Sequence, residues 1–77
     1  MEKTINDLAI GEDAAVIKLN CTGSVRRRII DMGLIPGVTV TLLRTAPLGD
    51  PLEIRIRGYE MSIRRSEAGR IYVVTND

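Results

Sequence analysis

Histidine, phenylalanine and tryptophan are absent from this sequence, cysteine occurs once (Cys21), and the aromatic complement is two tyrosines, Tyr59 and Tyr72. Each gap removes a class of function. Without imidazole, the chain lacks the commonest general base and the commonest transition-metal ligand. One thiol permits no intrachain disulfide, which fits a reducing compartment. A closed tetrahedral zinc site within one chain would need three carboxylates or a neighbouring subunit. Ser24, Ser62 and Ser66 have no histidine to activate them, and neither a G-x-S-x-G elbow nor a G-x-x-x-x-G-K-[ST] phosphate loop occurs. Glu12 and Asp13 are adjacent carboxylates, but neighbours on an extended strand point to opposite faces. The residues therefore read as non-enzymatic, with no cofactor of their own.

Long hydrophobic runs are missing as well. No apolar stretch approaches the ~20 residues of a membrane span, and residues 1–10 carry Glu2, Lys3 and Asp7 with no signal-peptide core. The expected location is cytoplasmic, without membrane insertion. Charge of one sign is also lacking: the net charge of +1 gives no overall field that would attract nucleic acid or an anionic membrane. With almost no aromatic platforms for stacking and no polar recognition helix, nucleic acid is not the expected partner.

What is present is an apolar set of Ile, Val, Leu and Ala within 44% hydrophobic residues. This suits one thin core of β-branched side chains in a single domain, residues 1–77. Thr4 before Ile5-Asn6-Asp7-Leu8 predicts a capped helical turn ending near Gly11. Strands are expected over 14–19 and 38–45. A helix over 25–32 starts from Gly23-Ser24, with Ser24 as N-cap, and is closed by Gly33. Leu34-Ile35-Pro36-Gly37 reads as a turn and residues 46–51 as a loop.

The clearest periodicity follows. Leu52, Ile54 and Ile56 alternate with Glu53, Arg55 and Arg57, and beyond Gly58 come Tyr59, Met61 and Ile63. A two-residue turn at Arg57-Gly58 sets Ile56 against Tyr59, Ile54 against Met61 and Leu52 against Ile63 on one buried face, with Arg55 opposite Glu60. A type I′ turn there would place Arg57 at positive φ. One helical turn over 66–69 and a last strand over 71–75 complete five strands. Five short antiparallel strands in so small a chain predict a mainly β fold: a small SH3-like barrel with two or three short helices.

Nine of the eleven Lys and Arg residues are arginine. The planar guanidinium favours specific contacts over a diffuse charge. On a helical wheel Val25, Ile29 and Met32 form the core stripe, and Ile30 falls off it between Arg26 and Arg27. Ile30 reads either as a partly covered surface residue or as the apolar centre of a docking patch. With Ser24 as N-cap, Arg26, Arg27 and Arg28 occupy the first turn and Asp31 the end, against the helix dipole, with pairs from Arg27 and Arg28 to Asp31 offsetting part of the cost. The alternatives are a solvated face with ion pairs and a recognition surface. Arg64 and Arg65, with Arg57 and Arg70, form a second basic group. Cys21, just before the helix, reads as structural or incidental.

Arg26-Arg27-Arg28-Ile29-Ile30-Asp31-Met32-Gly33-Leu34-Ile35-Pro36-Gly37 is similar to the signature block of the FeoA family. Further resemblance lies in Ala46-Pro47-Leu48-Gly49-Asp50-Pro51-Leu52, Arg57-Gly58-Tyr59, and Ile63-Arg64-Arg65-Ser66-Glu67-Ala68 with Ile71 and Val73. With Leu8, Gly11-Glu12 and Ala15 upstream, the resemblance runs from Leu8 to Val73 in one order and spacing. It implies an SH3-like barrel acting in the cytoplasm beside FeoB, the ferrous-iron transporter that carries a GTP-binding domain. In that setting the expected docking surface is Arg26, Arg27, Ile30, Leu48, Arg64 and Arg65. The same fold closes iron- or manganese-dependent repressors, so a metal-sensing module is the alternative, with Fe²⁺ held by carboxylates and Cys21 from two chains. A small RNA-binding barrel is a third reading. An incompletely closed barrel also leaves a strand edge through which copies could associate.

Overall fold

The computed structural model describes residues 2–75. Six strands, rather than five, form one antiparallel sheet: β1 (Glu2–Thr4), β2 (Asp13–Leu19), β3 (Thr39–Thr45), β4 (Leu52–Ile56), β5 (Tyr59–Ile63) and β6 (Ile71–Thr75), in the order β1-β6-β2-β3-β4-β5. The additional strand is β1, in which Glu2, Lys3 and Thr4 pair with Val74, Val73 and Tyr72. Glu-Lys-Thr has no apolar alternation, so its strand character comes from the partner edge it meets. A 3-10 turn, Ile5–Asp7, follows at once. There the Asp7 carboxylate accepts from the Thr4 backbone N–H at 2.9 Å and from the Thr4 hydroxyl at 3.1 Å.

Register shifts at Ile17, between β2 and β6, and at Leu43, between β3 and β4, add one residue to one strand of each pair. Such bulges bend and twist the sheet, and here they curl it around the core. Ile5, Val16, Ile29, Leu34, Val40, Leu52, Ile54, Ile56, Ile63, Ile71 and Val73 are fully buried. At about 1.5–3 kcal/mol for each such side chain removed from water, this cluster is the main force holding the sheet closed over α1 (Gly23–Asp31) and α2 (Arg65–Ala68).

The β4–β5 hairpin has the expected register, with Leu52 opposite Ile63, Ile54 opposite Met61, Ile56 opposite Tyr59 and Arg55 opposite Glu60. Arg55 lies 3.6 Å from Glu60, and Arg44 lies 3.1 Å from Glu53 and 3.6 Å from Glu60. These exposed pairs fix register more than they stabilise the fold. Tyr59 departs from expectation: it is half exposed. It sits where the ribbon leaves the core, and its hydroxyl lies 3.4 Å from the Met32 carbonyl at the end of α1. Gly33 permits this approach. Its φ is +97°, and a Cβ there would stand 3.3 Å from Ile56 Cδ1 and 3.4 Å from the Tyr59 hydroxyl.

Arg57 takes φ 47° and Gly58 φ 85° in the hairpin turn. Arginine in the left-handed region is strained, whereas asparagine tolerates it. Arg57→Asn is expected to stabilise the domain by about 0.5–1 kcal/mol. Thermal unfolding measures this as a higher Tm, and an unchanged or lower Tm would show that the arginine side chain contributes to the turn. Just before β2, Glu12 has its pKa lowered, first by the hydrogen bond it accepts from the Ala9 backbone N–H and then by Lys3, 3.4 Å away. A lowered carboxylate pKa means that this contribution is fully present above the ordinary carboxylate value and is lost as pH falls from there through Glu12's own lowered value.

Candidate functional site

α1 begins at Gly23, with Thr22 rather than Ser24 at the N-cap position and no side-chain cap bond. Arg26, Arg27 and Arg28 are therefore deeper in the helix than a Ser24 cap implies. Arg28 falls in the last turn, where a cation is favoured by the dipole, and Asp31 alone sits at the wrong end. Asp31 is in none of the ion pairs among the described residues, so the expected pairs with Arg27 and Arg28 do not form.

Within α1 only Ile29 is buried. Val25 lies near the core side of the wheel, yet it is 38% exposed. The helix meets the barrel through its C-terminal half, where Ile29 is buried and Met32, just past its end, packs against the core; its N-terminal half overhangs the sheet. Cys21 is a free, half-buried thiol packed against that core. The overhang explains why a helix of only nine residues, too short to persist alone, still presents most of its surface to solvent.

Two open depressions flank α1. One, of about 310 Å³, is lined by Gly23, Arg26, Arg27 and Ile30. At roughly 100° per residue, Arg28 and Met32 project from the other side of the helix. They line the second depression, about 350 Å³, together with Pro51, Ile63, Arg64 and Glu67. Glu67 is buried in the first turn of α2; one oxygen accepts the Arg64 backbone N–H at 3.3 Å, and the other faces the Arg28 guanidinium. The Arg28–Glu67 pair thus ties the helix to α2 across the depression. No local pattern foretells it, since the two residues belong to separate elements far apart in the chain.

The six expected docking residues do not form one patch. Arg26, Arg27 and Ile30 share the first depression, while Arg64 belongs to the second. Leu48 stands in the β3–β4 loop with 97% of its surface exposed. Arg65 is half-buried and turned toward that loop: its Nε donates to the Gly49 carbonyl and its backbone N–H to Asp50 Oδ1 at 3.0 Å. Pro51, Met32 and the Arg28–Glu67 pair join the surface without having been anticipated. Their proximity follows from tertiary folding alone.

Both depressions are shallow and carry guanidinium and aliphatic groups. Among the described residues no three of His, Cys, Asp and Glu converge as a metal cluster. Among the described residues, too, no helix is long and apolar enough to cross a membrane. The arrangement suits binding of a folded surface that offers carboxylates beside apolar side chains.

The FeoA domain model matches residues 3–75. A fusion protein of Porphyromonas gingivalis, Fe(2+) transport protein A joined to Fe(2+) transporter FeoB, is 38% identical over 69 residues. The match takes in 90% of this chain and 8% of that much longer relative. The FeoA-like protein of Clostridium acetobutylicum superposes with a TM-score of 0.90 at 37% identity, covering 99% of this chain and 88% of the other. FeoA of Stenotrophomonas maltophilia, an SH3 domain protein solved in complex with zinc, superposes at 0.79 with 26% identity over 91% of this chain and 87% of its own. The curled six-stranded sheet is thus the SH3-like fold expected, and this chain belongs to the FeoA domain family.

Proposed function

We propose that the protein is a cytoplasmic accessory factor of ferrous iron uptake that acts by docking on a FeoB-type transporter. The observation that carries this reading is the Porphyromonas gingivalis relative, in which a segment similar to this chain and the transporter form one polypeptide. Covalent linkage raises the effective concentration of two modules for each other, and it benefits modules that must meet. Docking is assigned to two neighbouring surfaces: Arg26, Arg27 and Ile30 on one side of α1, and Arg64 with the Leu48 loop beyond its other side. It acts non-covalently: guanidinium groups meet acidic side chains, and Ile30 and Leu48 fill apolar recesses. Purified chain is expected to bind the detergent-solubilised cognate transporter saturably, and more weakly as salt rises. Absence of saturable binding at low salt overturns the reading.

The zinc complex of the Stenotrophomonas maltophilia protein raises a second reading, direct metal binding. Here the described residues offer no convergent donor cluster, so a site would have to be assembled from Cys21 and carboxylates of two chains. Anaerobic titration with Fe²⁺, followed by calorimetry, is expected to give weak and non-stoichiometric heats. A tight site of one ion per chain or per dimer would favour metal sensing instead.

A further inference from the structure

A single exposed leucine ordinarily needs no explanation; what distinguishes Leu48 is how firmly the loop beneath it is held. The Ala46 N–H donates to the Pro51 carbonyl at 3.0 Å, and the Gly49 N–H to the Ala46 carbonyl at 2.7 Å, closing the loop on itself. Arg65 then fastens it from outside through the Gly49 carbonyl and Asp50. Gly49 has φ +88°, and a Cβ there would lie 3.7 Å from Arg65 Nε, so the guanidinium packs closely under the loop. Arg65 is itself a fixed post: its carbonyl accepts from Asn6 Nδ2 at 3.0 Å and from the Gly69 N–H at 3.0 Å.

We infer that Arg65 is a positioning residue: it does not touch the partner but holds the 46–51 loop so that Leu48 is presented as a rigid apolar peg. The inference rests on the docking reading above. A peg held in its bound geometry before encounter saves the entropy of ordering the loop on association. Half-buried, and with its Nε donating to the Gly49 carbonyl, the Arg65 guanidinium is less free to meet a partner carboxylate than the exposed Arg64 alongside.

A double-mutant cycle on the full chain tests this against the purified transporter. Leu48→Ala is expected to weaken binding about tenfold and Arg65→Ala by roughly three- to tenfold. The double variant should bind within about twofold of Leu48→Ala, because Arg65 acts only through Leu48. Equal losses from Arg65→Ala in both backgrounds would make Arg65 a direct contact and overturn the inference. A second readout needs no partner: backbone amide order parameters at Leu48, Gly49 and Asp50 should fall from about 0.85 to below about 0.6 in Arg65→Ala. Unchanged order parameters overturn the positioning role alone. Full binding by Leu48→Ala overturns the docking role of the loop, and the inference with it.

Discussion

Arg27→Glu combined with Ile30→Glu is expected to abolish detectable binding to the transporter while leaving the barrel folded. Both side chains line the same depression beside α1, and Ile30 is 39% exposed with its neighbours on that face also open to solvent. Neither change removes a buried contact, so each should alter stability by no more than about 0.5 kcal/mol. The carboxylate introduced at position 27 would stand one turn from Asp31 as a like charge, which adds a few tenths of a kcal/mol at most. At a docked surface the consequences are far larger. A guanidinium facing carboxylates is replaced by a repelling carboxylate, and an apolar side chain entering a recess is replaced by a charge that must be desolvated. Two substitutions of hot-spot size, about 2 kcal/mol each, correspond to a loss of roughly a thousandfold in affinity. Circular dichroism and thermal unfolding should match the wild type within a few degrees. Binding at wild-type affinity by a folded double variant removes α1 from the docking surface.

Legibility of this molecule tracks the range of the forces involved. The β4–β5 hairpin could be read to the residue because alternation, turn chemistry and the Arg55–Glu60 pair are short-range and agree. Even the positive φ of Arg57 followed from the two-residue spacing. β1 could not be read, because Glu2, Lys3 and Thr4 form a strand only through the edge that β6 offers. Val25 and Tyr59 lay at positions where pattern predicted burial, yet both are exposed, one on the overhanging half of α1 and one at the mouth of the hairpin. Periodicity tells which way a side chain points; it does not tell where the core ends. The helix cap shows the same limit on a smaller scale: a shift from Ser24 to Thr22 moves the arginine triplet away from the positive end of the dipole.

The surface was legible in its residue types and less so in its grouping. Arg26, Arg27 and Ile30 are close on the helix by simple geometry and do share a depression. Arg64 and Arg65 are adjacent in sequence but diverge in structure, one exposed beside Pro51 and the other turned under the Leu48 loop. Adjacent residues at the start of a short helix project in different directions, so a basic pair there need not act as a unit. The Arg28–Glu67 tie depends on α1 and α2 being brought together by the curled sheet.

Ile29→Ala should be the most damaging single change to the helix, and its contrast with Ile30→Ala separates scaffold from surface at neighbouring positions. Ile29 is fully buried, and it is the only buried residue of α1. Truncating a buried isoleucine to alanine costs about 2–5 kcal/mol, depending on how far the cavity collapses. A domain of this size has total stability of about 0.05–0.15 kcal/mol per residue, so the loss is a large share of what it has. A Tm lower by roughly 8–40 °C follows from the usual 4–8 °C per kcal/mol for small domains. The helix itself should suffer most, since nine residues cannot sustain it without that anchor; amide exchange over α1 should accelerate more than over β4. Ile30→Ala, by contrast, should leave Tm within a few degrees and weaken transporter binding about tenfold. Were Ile29→Ala to leave both Tm and exchange unchanged, α1 would be held by Met32 and the Arg28–Glu67 pair instead. Equal loss of stability from the two substitutions would mean that Ile30 also packs inward, leaving Arg26 and Arg27 without an apolar centre on that side of the helix.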